Sequence, residues 1–407
     1  MTDKRIFLIP DAYFGNYSGA YVAQIAKQLL MELGFTVAVF SDEIKELTKE
    51  NDGTVVYPRL KFSSKSYWIE NPYLEEYNNI LDTFRPDVVF TLGSVTNKPV
   101  CYWRIARERG IKTVSKIFMQ DFFCTNFYAN DKDGLCTRCL DSGFYGVFRG
   151  KCQPYYGNIL SKSIHKIVAA EIRKKLRKEL ILADAVITSS RQQVKFYEKY
   201  GIPREHCYIT PLYFNGDKLS KYTSTRGDYY VFVAQNRIDK GIHLLKDILA
   251  HCNQDVKVVA AYTTQERIDE ALQKYGLQPY VDSGILEMRL NCTWKTNLGD
   301  VIAASRGVVN PSIWPTTTEY VLLETLGLKK PIFTFNVGIH SEIIQNGING
   351  FIADGAAEMA CQMNLLLKDD KLYEVISGNS YHLYKNLTDW DDWKNELHTI
   401  FNNIFRE

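Results

Sequence analysis

Apolar residues along the chain fall into short, nearly continuous runs, separated by longer stretches in which they recur at helical spacing. A run that is apolar at consecutive positions reads as a strand buried on both faces, as in a parallel sheet, and the three-and-four spacing reads as an amphipathic helix. Arg5 to Pro10 is the first such strand, Ser18 to Leu33 a helix and Phe35 to Phe40 the next strand. Asp87 to Thr91, Thr113 to Phe118 and Ala185 to Ser189 follow, each after a helical stretch. After a polar stretch from Asn215 to Asp228 the alternation restarts, with strands at Tyr229 to Ala234, Val256 to Tyr262, Leu286 to Leu290, Gly307 to Asn310 and Pro331 to Phe335. The pattern predicts an α/β chain of two doubly wound, Rossmann-like domains, residues 1–213 and 214–388, facing across a cleft. Residues 389–407, with Trp390, Trp393, Leu397, Ile400 and Phe401 at helical spacing, are expected to form a helix that crosses back to the first domain.

Composition narrows the function classes. With 407 residues, 45% hydrophobic and 24% charged, the chain is globular and long enough for two or three cores. A formal charge of +2 gives no reason to expect a nucleic-acid partner. Apolar runs stop well short of the ~20 residues of a membrane span. The N-terminal run lacks a small-residue cleavage site, so a cytoplasmic protein with reduced cysteines is expected.

From Val309 to Gly355 the chain reads as strand, loop, helix, strand, helix and strand, with Glu324 on the first helix. Backbone amides at a helix start can hold a diphosphate while an acid holds the adjoining sugar. Pro311, Ser312, Glu324, Pro331, Gly338, Glu342, Gly347 and Gly350 stand where the donor-binding core of glycosyltransferase family 4 carries its spaced residues, and the segment resembles that family. The resemblance extends to the run Tyr229 to Leu245, where Arg237 and Lys240 match the Arg and Lys that hold the donor diphosphate, although Gln235 and Asn236 replace small residues and the Arg-to-Lys gap is short. It also covers the run Ala183 to Pro211 and the loop between the first strand and helix, where Gly15 and Gly19 would let backbone approach phosphates or acceptor.

The resemblance implies a GT-B fold and a retaining, metal-independent transfer, with a hexosyltransferase as the expected activity. A UDP- or GDP-type nucleotide sugar would be the donor, and a glycan, lipid-linked or protein-linked hydroxyl the acceptor. Glu324 would bind the ribose hydroxyls, and the amides near Tyr320 and Val321 the phosphate or sugar. The family's other acid is absent: Thr316 stands there, followed by Thr317, Thr318 and Glu319. Glu319 can either reach the sugar in its place or serve as an ordinary helix-start acid. Gln120 and Asp121 occupy the positions of the family's His-Asp pair, leaving Asp121 as the side chain better able to handle a proton. The Thr316 and Gln120 departures keep two other readings open: a catalytically silent GT-B partner subunit, or a nucleotide-sugar epimerase.

Two segments carry separate chemistry. In the insert 120–153, Cys136 and Cys139 form a C-x-x-C that Cys124 and Cys152 would complete as a structural zinc set; reduced thiols packed in a loop are the alternative. Along 161–180, Lys162, Lys166, Arg173, Lys174, Lys175, Arg177 and Lys178 outnumber Glu171 and Glu179, with Ile164, Ile167, Val168, Ile172 and Leu176 expected opposite. Such a helix suits peripheral contact with an anionic membrane face, or simply packs on the sheet. Self-association, or association with another chain, is left open.

Overall fold

The computed structural model describes residues 4–15, 18–59, 71–125, 127–131, 134–149, 159–233 and 235–406. These divide into two units, one formed by Met1–Phe214 with Asp389–Glu407 and the other by Asn215–Thr388.

The first unit is built on an eight-stranded sheet. Its spatial order is Cys207–Ile209, Ala185–Thr188, Lys112–Ile117, Val88–Gly93, Arg5–Pro10, Thr36–Ser41, Val55–Pro58 and Thr48–Lys49. All neighbours are parallel except the Thr48–Lys49 edge, which runs antiparallel to Val55–Pro58. Ile6, Phe7, Leu8, Ile9, Val88 and Phe90 are wholly or almost wholly buried, which accounts for the unbroken apolar runs of the central strands. The four-residue strand Val55–Pro58 and the two-residue, polar Thr48–Lys49 are too short to stand out in the sequence. The C-terminal helix Trp390–Arg406 belongs to this unit and buries Trp393, Leu397, Ile400, Phe401 and Ile404. Phe35 meets Phe401 at 5.0 Å between ring centroids, and Tyr213 meets Trp393 at 5.3 Å.

The second unit holds a six-stranded, fully parallel sheet in the order Leu286–Arg289, Val258–Ala261, Tyr230–Val233, Gly307–Asn310, Ile332–Phe335, Phe351–Ala353. From its first strand, Tyr230–Val233, the chain winds outward to one side, then crosses over and builds the other side from Gly307–Asn310. That reversal makes the carboxyl ends of these two adjacent strands the switch point at which such sheets bind ligands. The helix Asp370–Leu387, missing from the sequence reading, starts where Asp369 accepts a hydrogen bond from the Leu372 amide at 2.9 Å.

The helix Ile159–Leu180 corrects its predicted polarity. Ala170, Ile172, Arg173, Leu176 and Leu180 are buried, whereas Ile164 and Ile167 lie on the solvent side, 51% and 47% exposed. Arg173 sits on the inner face because its guanidinium has backbone acceptors there: Asp121 O at 3.1 Å and Cys124 O at 3.1 Å.

Candidate functional site

Three loops come together at the switch point of the second unit. The turn Arg237–Gly241 follows the first strand, and Gly241 adopts φ 77° with Pro311 O only 1.9 Å from where a Cβ would stand, so no side chain fits. The loop after Gly307–Asn310 is tied to that turn, since Asp239 O accepts from Ile313 N at 3.0 Å and from Ser312 Oγ at 3.1 Å. The loop after Ile332–Phe335 closes on the other side: Ile339 N donates to Thr316 O at 2.8 Å, and a Cβ on Gly338 would meet Thr316 backbone atoms at 2.5 and 2.7 Å.

These loops place a buried charge cluster at the start of the helix Tyr320–Gly327. Glu319, its N-cap residue, accepts at Oε1 from Lys240 Nζ (2.5 Å), and at Oε2 from Asn310 Nδ2 (2.8 Å) and His340 Nε2 (2.5 Å). Burial would raise the Glu319 carboxyl, but Lys240 and His340 outweigh it and hold the group well below the usual carboxylate range. Lys240 also lies 4.7 Å from the Trp314 ring centroid. Arg237 forks onto Asp239 at 3.0 and 2.6 Å and lines a cavity of about 350 Å³ with Gln235, Asn236, Arg267 and Glu270.

Glu324 is buried further along the same helix. Its Oε1 pairs with Lys218 Nζ, and the Trp294 indole bonds the same carboxylate. Burial dominates and raises its pKa, with Lys218 opposing. Lys218 in turn sits 4.2 Å from the Trp294 ring centroid. Arg237, Lys240, Thr316, Thr317, Thr318 and Glu319 thus lie on the loops that follow these strands, Tyr320 and Val321 open the helix, and Glu324 follows on it, buried against Lys218. Thr316 and Thr317 are buried, and Thr316 Oγ1 is used inside the loop, accepting from Thr318 N at 3.2 Å and bonding Thr318 O at 2.5 Å.

Asn310, His340, Lys218 and Trp294 were not singled out by the sequence. His340 had a signal, as a histidine inside the Gly338 to Glu342 stretch. Lys218 had none, being 106 residues from Glu324.

In the first unit, Gln120 and Asp121 are both fully buried. Asp121 Oδ2 accepts from Ser94 Oγ (2.5 Å), Thr96 N (2.9 Å) and Thr96 Oγ1 (2.9 Å), while Oδ1 has no partner among the described residues. Burial raises its pKa against the Ser94 and Thr96 hydrogen bonds. Gly15 is exposed and Gly19 half-exposed. The neighbouring amides of Tyr13 and Phe14 already donate to Glu43 Oε2 at 2.7 and 2.8 Å.

Cys124 and Cys139 are buried and Cys136 is half-buried. Burial raises the Cys139 thiol. Among the described residues no three His, Cys, Asp or Glu side chains gather as a metal set; Cys152 lies outside them.

With this geometry in place, comparison with known proteins is informative. Residues 220–383 match the family model described as Glycosyl transferases group 1. The fold is GT-B. Sucrose-phosphate synthase from Thermosynechococcus elongatus superposes with a TM-score of 0.68 at 12% identity, covering 99% of both chains. Anabaena Alr3699/HepE, solved in complex with UDP, gives 0.65 at 15% identity over 98% of this chain and 99% of that one. WaaG, a glycosyltransferase involved in lipopolysaccharide biosynthesis, gives 0.62 at 14% identity over 97% and 99%. No curated protein matches the sequence. The matched segment contains Arg237, Lys240, Glu319 and Glu324, and the match supports glycosyl transfer as the chemistry of the second unit. Among the described residues no helix is long and apolar enough to cross a membrane.

Proposed function

We propose that the chain is a hexosyltransferase that moves a sugar from a nucleoside-diphosphate sugar to an acceptor hydroxyl with retention at the anomeric carbon. The observation that carries this reading is the placement of two cations, Arg237 and Lys240, on the turn after the strand Tyr230–Val233 and of a buried carboxylate, Glu324, on the helix after the adjacent strand Gly307–Asn310, the two strands of the switch point in the unit that matches the group 1 model. Arg237 and Lys240 neutralise the diphosphate as its charge grows, the amides of Tyr320 and Val321 contact phosphate or sugar, and Glu324 accepts from the ribose hydroxyls. The bond from the anomeric carbon to the phosphate oxygen breaks as the bond to the acceptor oxygen forms on the same face, and the departing phosphate takes the acceptor proton. No protein nucleophile or metal is required in this course. Asp121, fully buried, is assigned to support of the Ser94–Thr96 loop, and Gln120, equally buried with its Nε2 on Gln193 Oε1 at 3.5 Å, to packing against the helix Arg191–Tyr200; neither is assigned to direct proton transfer.

UDP is the first nucleotide to test, because an Anabaena protein of the same fold holds it, and GDP the second. An epimerase needs an acid and a base that face a sugar. Glu319 and His340 are instead spent on each other, on Lys240, Asn310 and Thr334, inside the protein. A silent partner subunit would bind nucleotide without turning it over, so a panel of UDP- and GDP-sugars is assayed for both calorimetric binding and release of nucleoside diphosphate with acceptor present. Binding with turnover is expected. Binding without turnover on any acceptor favours the silent subunit, and no binding at all removes the reading.

A lipid-linked acceptor is favoured by the surface of the first unit. Ile164 and Ile167 are exposed on the helix Ile159–Leu180, Tyr145 and Phe148 are 46% and 45% exposed on the turn Phe144–Phe148 that packs against it, and Lys166 and Lys174 lie over the Phe148 and Tyr145 rings at 5.6 and 4.3 Å from the centroids. Exposed aliphatic and aromatic groups ringed by ammonium groups fit the interface of an anionic bilayer.

A further inference from the structure

We infer that Glu319 and His340 are positioning residues for Lys240, forming a buried relay that aims the lysine ammonium at the donor diphosphate. The inference rests on the reading of Lys240 as a diphosphate ligand, and adds a machinery behind it that the Glycosyl transferases group 1 match does not assign.

The relay runs inward from the loop surface. The Lys240 side chain is 15% exposed, Glu319 6% and His340 not at all. A lysine on four flexible carbons would sample many orientations, and its compact charge is hard to aim. Here one of its three N–H groups is fixed on Glu319 Oε1 at 2.5 Å, and the Trp314 face covers another side at 4.7 Å. The remaining N–H groups are left to point toward a ligand.

Glu319 can hold the lysine only because it is itself held. Its second oxygen takes Asn310 Nδ2 and His340 Nε2, from the carboxyl end of one strand and the first turn of the short helix His340–Ile343. His340 Nδ1 meets Thr334 Oγ1 at 2.7 Å, on the strand Ile332–Phe335. The ionised Glu319 carboxylate can only accept, so it sets the tautomer: with the proton on Nε2 the ring donates to Glu319, and its Nδ1 accepts from the Thr334 hydroxyl. Elements following three adjacent strands thereby converge on one ammonium group. A carboxylate this deeply buried and filled with three donors is unlike the ordinary exposed acid at a helix start, and it is turned away from solvent. It therefore does not take over the sugar contact that Thr316 leaves vacant. Its partner is the lysine.

A double-mutant cycle tests this on the full chain with UDP and GDP as titrants. Lys240→Met and Glu319→Gln are each expected to weaken binding roughly tenfold or more, and the double variant no more than Lys240→Met alone. His340→Gln, which can still offer an N–H near the Nε2 position, is expected to retain more affinity than His340→Phe. Melting temperatures of all variants report the fold, and His340→Phe replaces Glu319→Gln in the cycle if the latter unfolds. Multiplying losses in the double variant, or a Glu319→Gln protein that binds like wild type beside a Lys240→Met protein that does not, overturns the positioning role alone. A Lys240→Met protein that binds like wild type, or a wild type that binds neither diphosphate, overturns the diphosphate reading and the relay with it.

Discussion

At the scale of single residues, Glu324 carries the sharpest expectation. An ionised carboxylate can accept from both vicinal ribose hydroxyls, whereas an amide retains one acceptor oxygen and adds a donor. Glu324→Gln is expected to lose about 1.5 to 3 kcal/mol of nucleoside-diphosphate affinity, roughly ten- to a hundredfold, measured by titrating UDP into both proteins. Equal binding would remove the ribose assignment. The Lys218 pair adds a second consequence. Lys218→Met leaves a buried carboxylate without its cation, which costs about 3 kcal/mol of stability, and Glu324→Gln in that background should restore part of it. Arg237→Ala should preserve the fold, because its guanidinium is on the cavity side, and lower kcat/KM by an amount corresponding to about 2 kcal/mol. Glu324, Arg237 and Lys240 stand out in the chain because their spacing within short segments resembles that of a donor site, and the roles proposed for them are what these variants test. Lys218 and Asn310 acquire their roles only through folding, and the inward turn of Thr316 depends on the closeness of Gly338, which no local pattern announces.

At the scale of elements, legibility followed burial. Central strands such as Val88–Gly93 and Gly307–Asn310 stood out because a parallel sheet covered on both faces demands apolar residues at every position. The edge strand Thr48–Lys49 escaped, since it is exposed on both residues and carries no periodicity. In the helix Ile159–Leu180 the expected apolar face is split: Ile172 and Leu176 are buried, but Ile164 and Ile167 are not, and Arg173, counted with the charged face, finds carbonyl partners on Asp121, Ala169 and Cys124 and is drawn into the protein. The outward isoleucines then become testable. Wild-type protein is expected to sediment with vesicles containing phosphatidylserine and to release as salt rises, and the Ile164→Glu, Ile167→Glu double variant to stay in the supernatant. Equal sedimentation of both proteins, or none of either, would leave the patch without a bilayer partner.

At the scale of the whole molecule, each unit hides a lysine whose proton is loosely held, and together they shape stability against pH. Burial pushes Lys116 down to about 7 against the pull of Glu396, and pushes Lys330 down to about 7 against Glu374. Lys116 bonds Thr210 Oγ1 and, at 3.0 Å, Pro211 O; Lys330 bonds Thr225 O at 2.6 Å and Ser305 O at 2.9 Å. In the unfolded chain both return to an ordinary value near 10.5. Between about pH 7 and 10.5 the unfolded state therefore binds more protons, and stability climbs as pH rises through that window. Glu396 contributes with the opposite slope at lower pH: raised by burial from 4.5 to about 7, it binds more protons when folded, and its stabilisation fades as pH rises from 4.5 to 7. The thiols of Cys207 and Cys252, raised by burial to about 11 and about 12, oppose the lysines once the pH exceeds their unfolded value of 9.0, so the lysine effect is cleanest between 7 and 9. Over those two pH units one such lysine contributes about 2 to 3 kcal/mol. Chemical denaturation at pH 7, 8 and 9 should show wild type gaining stability, Lys116→Met gaining less, and the Lys116→Met, Lys330→Met double variant gaining least. Parallel curves for wild type and Lys116→Met would mean that the buried ammonium keeps its proton throughout, held by Thr210, Pro211 and the Tyr213 ring that lies 3.6 Å away.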